Sequence, residues 1–336
     1  MGSLCEEPIV HRSSSSLTHF LGPFSLSAAS SSMPSHSHVY FDCAFSDDGA
    51  LLAAAHSQSL ISVWRTDSIL DASDRQSDPL QRCHCKPQIK LNASAGPIYS
   101  VLFADQLLIS AADLNIHVWD LSCQDPRSVL TNPRLGSRLG DQAVVAESNG
   151  LAYCCDTKAL YSASGDGVAY QWDLTTGSIT NKFQGHTDYL HCVCLGPRPH
   201  TILTGSEDGS VRLWDTRSTD SHVIHCSKTK DWIGAIHCKD DIVVAGSGLG
   251  YIYTYHTGSQ SLLQTFRADA PVLSLERNEY DIISAGREPF ISTWNSEGAR
   301  KLQINTTAES IYRVKINPDR SNRPQFTPIS ENGGLI

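Results

Sequence analysis

The 336 residues include 35 Asp and Glu against 26 Lys and Arg, a net charge of −9, with 40% hydrophobic residues. There is ample apolar material for a core, since a chain this long buries roughly 75% of the surface its unfolded form exposes. The acidic balance repels a phosphate backbone, so RNA is expected only indirectly, through partner proteins, unless a local basic patch exists.

The 11 cysteines are odd in number, lack a regular framework and follow no signal peptide, which points to a reducing compartment. The sequons at Asn92 and Asn305 matter only in a secreted chain and are discounted. No apolar run approaches the ~20 residues needed to cross a bilayer, so no membrane partner is expected.

The amino terminus, MGSLCEEP, has Glu6 where a myristoylation signal needs Ser or Thr. Residues 1–35 hold the serine runs Ser13–Ser16 and Ser30–Ser32 with Pro23 and Pro34, and are expected to be a disordered tail. Repeats begin at His38, so a domain is expected over 36–320, followed by an irregular tail over 321–336. Each repeat has an apolar strand, a second strand, and a third strand ending in an aromatic.

Those aromatics, Trp64, Trp119, Trp172, Trp214, Tyr255 and Trp294, stand 55, 53, 42, 41 and 39 residues apart. A four-stranded propeller blade takes about 40 to 45 residues, so the first two intervals hold insertions. Thr66 to Lys90, with the triplet Cys83-His84-Cys85, and Ser122 to Gln142, with Arg127, Arg134 and Arg138, read as long loops. Ser310 to Ile316 reads as the inner strand of a seventh repeat that lacks its closing aromatic. The fold class expected is an all-β WD-repeat β-propeller of seven blades, the last incomplete. Either the chain is a shortened variant or the ring closes imperfectly, unless a terminal segment supplies the missing strands.

The best-preserved repeat runs from Gly185 to Arg217, GHTDYLHCVCLGPRPHTILTGSEDGSVRLWDTR. Its spacing lets His186 bond Thr204 and Asp208 while Thr204 bonds the Trp214 indole, so these four residues are read as a structural network. The third repeat keeps Ser162 and Asp166 at the same offsets without a Gly-His pair, and the sixth keeps Ser284 with Glu288 in place of Asp.

Chemistry-bearing clusters are thin. His186, His191, Cys192 and Cys194 lack a second pair at tetrahedral-site spacing, and Cys83-His84-Cys85 is a lone triplet, so no metal ligand is assigned. No G-x-S-x-G elbow occurs, and GSGLG at Gly246–Gly250 lies between strands without opening a helix. No catalytic residue and no cofactor is expected, and the protein is read as a non-enzyme.

Two features point to partners. Trp214-Asp215-Thr216-Arg217 has the W-D-x-R form, which resembles the box by which substrate receptors dock the damaged-DNA-binding adaptor of cullin-4 ubiquitin ligases. Asp215 and Arg217 would carry that contact. The second feature is a set of motifs: GHTDYLHC at Gly185, GSEDGSVRLWDTR at Gly205 and DWIGAI at Asp231, with GPIYSV at Gly96 and DIISAG at Asp281. In this order the chain resembles the THO complex subunit 6 family over roughly residues 40 to 316. That resemblance implies a nuclear scaffold that contacts other THO subunits in mRNA processing and export, with Trp232 of DWIGAI as either a partner contact or core. Family members complete the last blade, and here this chain departs from them.

Overall fold

The computed structural model describes residues 39–69, 86–93, 96–133, 146–227, 231–306, 308–318 and 329–330. The serine-rich tail, the Cys83-His84-Cys85 triplet, Arg134 and Arg138 lie outside the described residues. The chain separates into residues 1–36 and 37–336, and the described residues belong to the second unit.

Six antiparallel sheets follow one another, each of four strands in sequence order. The first contains β1 (Tyr40–Phe45), β2 (Leu51–His56), β3 (Leu60–Arg65) and β4 (Ile89–Asn92). The second contains β5 (Ile98–Ala104), β6 (Leu107–Ala112), β7 (Asn115–Asp120) and β8 (Pro126–Thr131). The third contains β9 (Ser148–Cys154), β10 (Ala159–Ser164), β11 (Val168–Asp173) and β12 (Ser178–Gln184). The fourth contains β13 (Leu190–Leu195), β14 (Thr201–Ser206), β15 (Ser210–Asp215) and β16 (Ser221–Cys226). The fifth contains β17 (Ile233–Lys239), β18 (Ile242–Ser247), β19 (Tyr251–His256) and β20 (Ser261–Arg267). The sixth contains β21 (Val272–Arg277), β22 (Ile282–Gly286), β23 (Phe290–Trp294) and β24 (Arg300–Asn305). A two-stranded sheet of β25 (Ile311–Arg313) and β26 (Ile329–Ser330) comes last.

The first strands form the hub. β1 packs on β5, β5 on β9, and so on to β21 on β25, while β25 also packs on β1. The result is a propeller whose ring is closed by the short sheet. The described residues therefore hold six complete blades, and the strand that pairs with β25 comes from the segment expected to be an irregular tail. One expectation is corrected: the first part of the insertion from Ser122 is strand β8, and β4 forms the end of the insertion from Thr66. Outer strands are mostly solvated, with only Leu130 buried along β8, so their polar composition reads as loop; Pro126 stands at the first position of β8, where a proline is tolerated.

The core lies between blades. From the second blade on, each closing aromatic packs back onto the blade before it: Trp119 against Ala53, Val63 and Leu91, and Trp172 against Ile109, Ile116 and Leu130. Trp214 likewise meets Tyr161 and Phe183, Tyr255 meets Leu203 and Val211, and Trp294 meets Val244 and Ile252. This inter-blade burial explains the regular recurrence of the aromatics, since one large side chain per repeat fills each wedge between sheets. In the second turn of the third and fourth blades, Gly167 and Gly209 take φ of 80° and 79°, a left-handed conformation that favours glycine.

Two ion pairs lock the short sheet into the ring. Arg313 Nε donates to Asp42 Oδ1 of β1 at 2.5 Å, and Lys315 Nζ donates to Glu276 Oε1 of β21 at 2.5 Å. Asp42 also accepts from Ser100 Oγ at 2.7 Å and Val101 N at 3.0 Å, which carries the link on to the second blade. Burial alone would raise the Glu276 carboxyl, yet Lys315 beside it holds it below its ordinary value. The apolar side of this joint joins Ile283, Ala285 and Ile291 of the sixth blade to Ile311 and Val314.

Candidate interaction surface

The fourth blade shows how the best-preserved repeat holds its shape. His186 Nδ1 lies 2.9 Å from Asp208 Oδ2 and Nε2 lies 2.8 Å from Thr204 Oγ1, while Trp214 Nε1 donates to Thr204 Oγ1 at 2.8 Å. Burial works to raise the Asp208 carboxyl, but hydrogen bonds from His186, Ser210 and Thr187 N hold it far below the usual range. The third blade solves the same problem differently: Trp172 Nε1 donates to Ser162 Oγ at 2.9 Å and the Tyr170 hydroxyl donates to Asp166 at 2.5 Å. In the sixth, Trp294 Nε1 donates to Ser284 Oγ, but Glu288 has no histidine and its Oε2 has no hydrogen-bond partner. Burial first, then nearby Asp269, pushes the Glu288 carboxyl up to about 7.

A second pattern recurs at the start of every inner strand. The first and third residues pair with the neighbouring strand and the second is skipped, which is a β-bulge. The skipped residues are Phe41, Tyr99, Asn149, His191, Gly234, Leu273 and Tyr312. A bulge re-aims its side chain, and here six half-buried side chains gather at one end of the hub. Phe41 lies 5.9 Å from Tyr99 and 5.6 Å from Tyr312 between ring centroids. Asn149 reaches across to the next blade, where Nδ2 donates to Leu190 O at 2.9 Å.

Trp232 fills the one place in this ring where the skipped residue is glycine. Its ring lies 5.5 Å from that of His191, and His191 Nε2 is 2.6 Å from Glu207 Oε2. A methyl group on Gly234 would come within 2.3 Å of Trp232 Cζ3, and one on Gly248 within 2.0 Å of Trp232 Nε1. The glycines of GSGLG and DWIGAI are thus the seat of this indole. Trp232 is half-buried at the rim of the hub.

Asp215 and Arg217 stand at the opposite ends of the strands. The side chain of Arg217 is 69% exposed, but its guanidinium is folded back on its neighbour, with Nε 3.0 Å from Asp215 Oδ1 and the terminal nitrogen 2.6 Å from Oδ2. Hydrogen bonds from the Arg217 side chain and backbone hold the Asp215 carboxyl at about 2. The candidate partner residues are therefore divided between two faces: Trp232 on one, Asp215 and Arg217 on the other.

The family described as WD domain, G-beta repeat matches residues 177–215, the third-blade edge and most of the fourth blade. Together with the ring of four-stranded sheets, this decides the class. The chain is a WD-repeat β-propeller. It is similar to THO complex subunit 6 of Homo sapiens, 28% identical over 286 residues that cover 82% of each chain. THO complex subunit 6 of Arabidopsis thaliana is 27% identical over 258 residues, 69% of this chain and 70% of that one. The Drosophila melanogaster protein of the same description is 33% identical over 118 residues, about a third of each chain.

In this WD-repeat propeller the residues once grouped as metal candidates are dispersed. His186 serves Thr204 and Asp208, His191 serves Glu207, and Cys192 is buried with its sulfur 3.9 Å from Ile233 O. Burial pushes the thiols of Cys192 and Cys238 up to about 12 and that of Cys194 well above its ordinary value, so all three stay protonated. Among the described residues no group of three or more His, Cys, Asp or Glu is placed to hold a metal ion. No helix among them is long and apolar enough to cross a membrane.

The bulge ring is not among the features expected from the sequence. Five of the seven skipped residues, Phe41, Tyr99, His191, Leu273 and Tyr312, are large side chains one position after a buried apolar residue, a pattern that ordinary strand positions share. Read as strand alternation alone, they look like ordinary half-buried positions.

Proposed function

We propose that this propeller is a non-enzymatic scaffold subunit of a nuclear THO assembly acting in mRNA processing and export. The observation that carries the reading is the similarity to THO complex subunit 6 proteins along 82% of the chain, on a fold whose polar networks are spent on holding blades together. Its partners are other THO subunits, and RNA is met through them. We count the two-stranded sheet as a seventh, incomplete blade, because β25 carries the same bulge as the other inner strands and packs between the first and sixth blades. Trp232 and the bulge ring are the contact surface.

The alternative, docking of the cullin-4 ligase adaptor through Asp215 and Arg217, has less support. The Arg217 guanidinium is already closed on Asp215 by two hydrogen bonds. The two readings separate in one experiment. Tagged protein recovered from nuclear extract after RNase treatment is expected to bring THO subunits with it, equally in wild type and Arg217→Ala. Absence of THO subunits would sink the scaffold reading, and recovery of the adaptor that Arg217→Ala abolishes would establish the second reading beside it.

A further inference from the structure

The bulge ring and the loops around it differ in character, and the difference describes a ligand. At the hub end, Phe41, Tyr99, Tyr312 and Trp232 are half-buried. Around them, the loops leading into the inner strands and the turns between second and third strands carry Asp113, Glu147, Asp188, Glu207, Asp231 and Asp269. Arg287 is the only Lys or Arg among the described residues of those loops; of the six carboxylates, Asp269 is already paired with Arg300 of β24 at 2.8 Å.

Two buried carboxyl groups on the same end each keep one oxygen without a partner. Asp231 is 5% exposed; its Oδ1 accepts from Leu249 N at 2.8 Å while Oδ2 has no partner. Glu288 is 6% exposed and its Oε2 is equally unsatisfied. Aromatic faces and carboxylates both attract a cation, and both repel a phosphate. A second copy of the chain would present the same negative face, so charge complementarity does not favour self-association there.

Building on the scaffold reading, we propose that this face docks an arginine-rich segment of a partner protein, with guanidinium groups stacked on the rings of the hub mouth and neighbouring cations paired to the rim carboxylates. Arginine suits the site better than lysine, because its planar, weakly hydrated guanidinium stacks on rings and forks onto carboxylates.

The test is fluorescence anisotropy on the full chain with a labelled peptide of alternating Arg and Gly, beside a Glu-Gly peptide and an oligouridine. The variants are the isosteric triple D113N/E147Q/D188N and Tyr99→Leu, with circular dichroism as the fold control. Asp188→Asn alone provides the comparison if the triple variant loses its fold. The Arg-Gly peptide is expected to bind, more weakly as salt is added, and to lose about tenfold in affinity in the triple variant and a few-fold in Tyr99→Leu. Equal binding by wild type and triple variant, no binding by wild type, or oligouridine binding that the triple variant abolishes would overturn the proposal. Recovery of THO subunits is measured on the same proteins. Partners recovered without peptide binding refute the docking chemistry alone, and peptide binding without partners refutes the scaffold reading alone.

Discussion

At the scale of single residues, one turn position shows how partners set chemistry. Asp208 meets a histidine, a serine and a backbone amide and is held ionised; Glu288, at the matching place two blades on, meets no histidine and keeps its proton up to about 7. Its ordinary value is 4.5, so between 4.5 and about 7 the folded chain binds a proton that the unfolded chain releases. The stability this contributes is present below the lower value and is lost as pH rises through the upper one. Glu288→Gln is therefore expected to exceed wild type in stability above pH 7, by roughly 1–2 kcal/mol, with the gap closing toward acid pH. Urea unfolding at a series of pH values checks it. Thr204→Val removes the hydroxyl that bonds both Trp214 and His186, and leaving two buried groups without that partner is expected to cost about 2 kcal/mol or more. A midpoint unchanged in urea would remove Thr204 from the network.

At the scale of elements, the inner strands carry both the ring closure and the surface. Asp42 is almost fully buried and holds Arg313 of the last sheet, so Asp42→Asn leaves a guanidinium without its counter-charge. Breaking one side of such a pair is expected to cost about 3 kcal/mol, whereas the double change Asp42→Leu with Arg313→Met is expected to restore much of it. Urea midpoints of the single and double variants decide the matter; equal losses would show that the pair does not latch the ring. Gly248→Ala should displace the Trp232 indole, seen as a change in its fluorescence while the far-ultraviolet spectrum stays constant. How much of this was legible in the sequence follows from what repeats. Strands closed by Trp119, Trp172 or Trp214 announce themselves, because each wedge between blades needs a large aromatic at a fixed spacing. The outer strand β8 does not, since a solvated edge such as PRSVLT has the composition of a loop. Register is also invisible: nothing in LHCVCL marks His191 as skipped, because a bulge is a property of two strands and the sequence shows one at a time.

At the scale of the whole molecule, the described propeller has two unlike faces. One gathers the bulge ring, Trp232 and a rim of carboxylates; the other carries the self-closed Asp215 and Arg217 pair. On the proposed scaffold role, the hub end that gathers Phe41, Tyr99, Tyr312 and Trp232 is where other proteins are held. The spacing of the best-preserved repeat matches the network seen in the fourth blade, while the third and sixth blades vary it. The division into faces could not be predicted, because Trp232 and Arg217 are close in sequence and separate only when the strands are laid in space. The most direct measurement is site-specific photocrosslinking in nuclei, with the crosslinking amino acid placed at Tyr99 in one protein and at the exposed Ser218 in another. The account predicts that Tyr99 captures a THO subunit and Ser218 does not. Capture at Ser218 alone would contradict it.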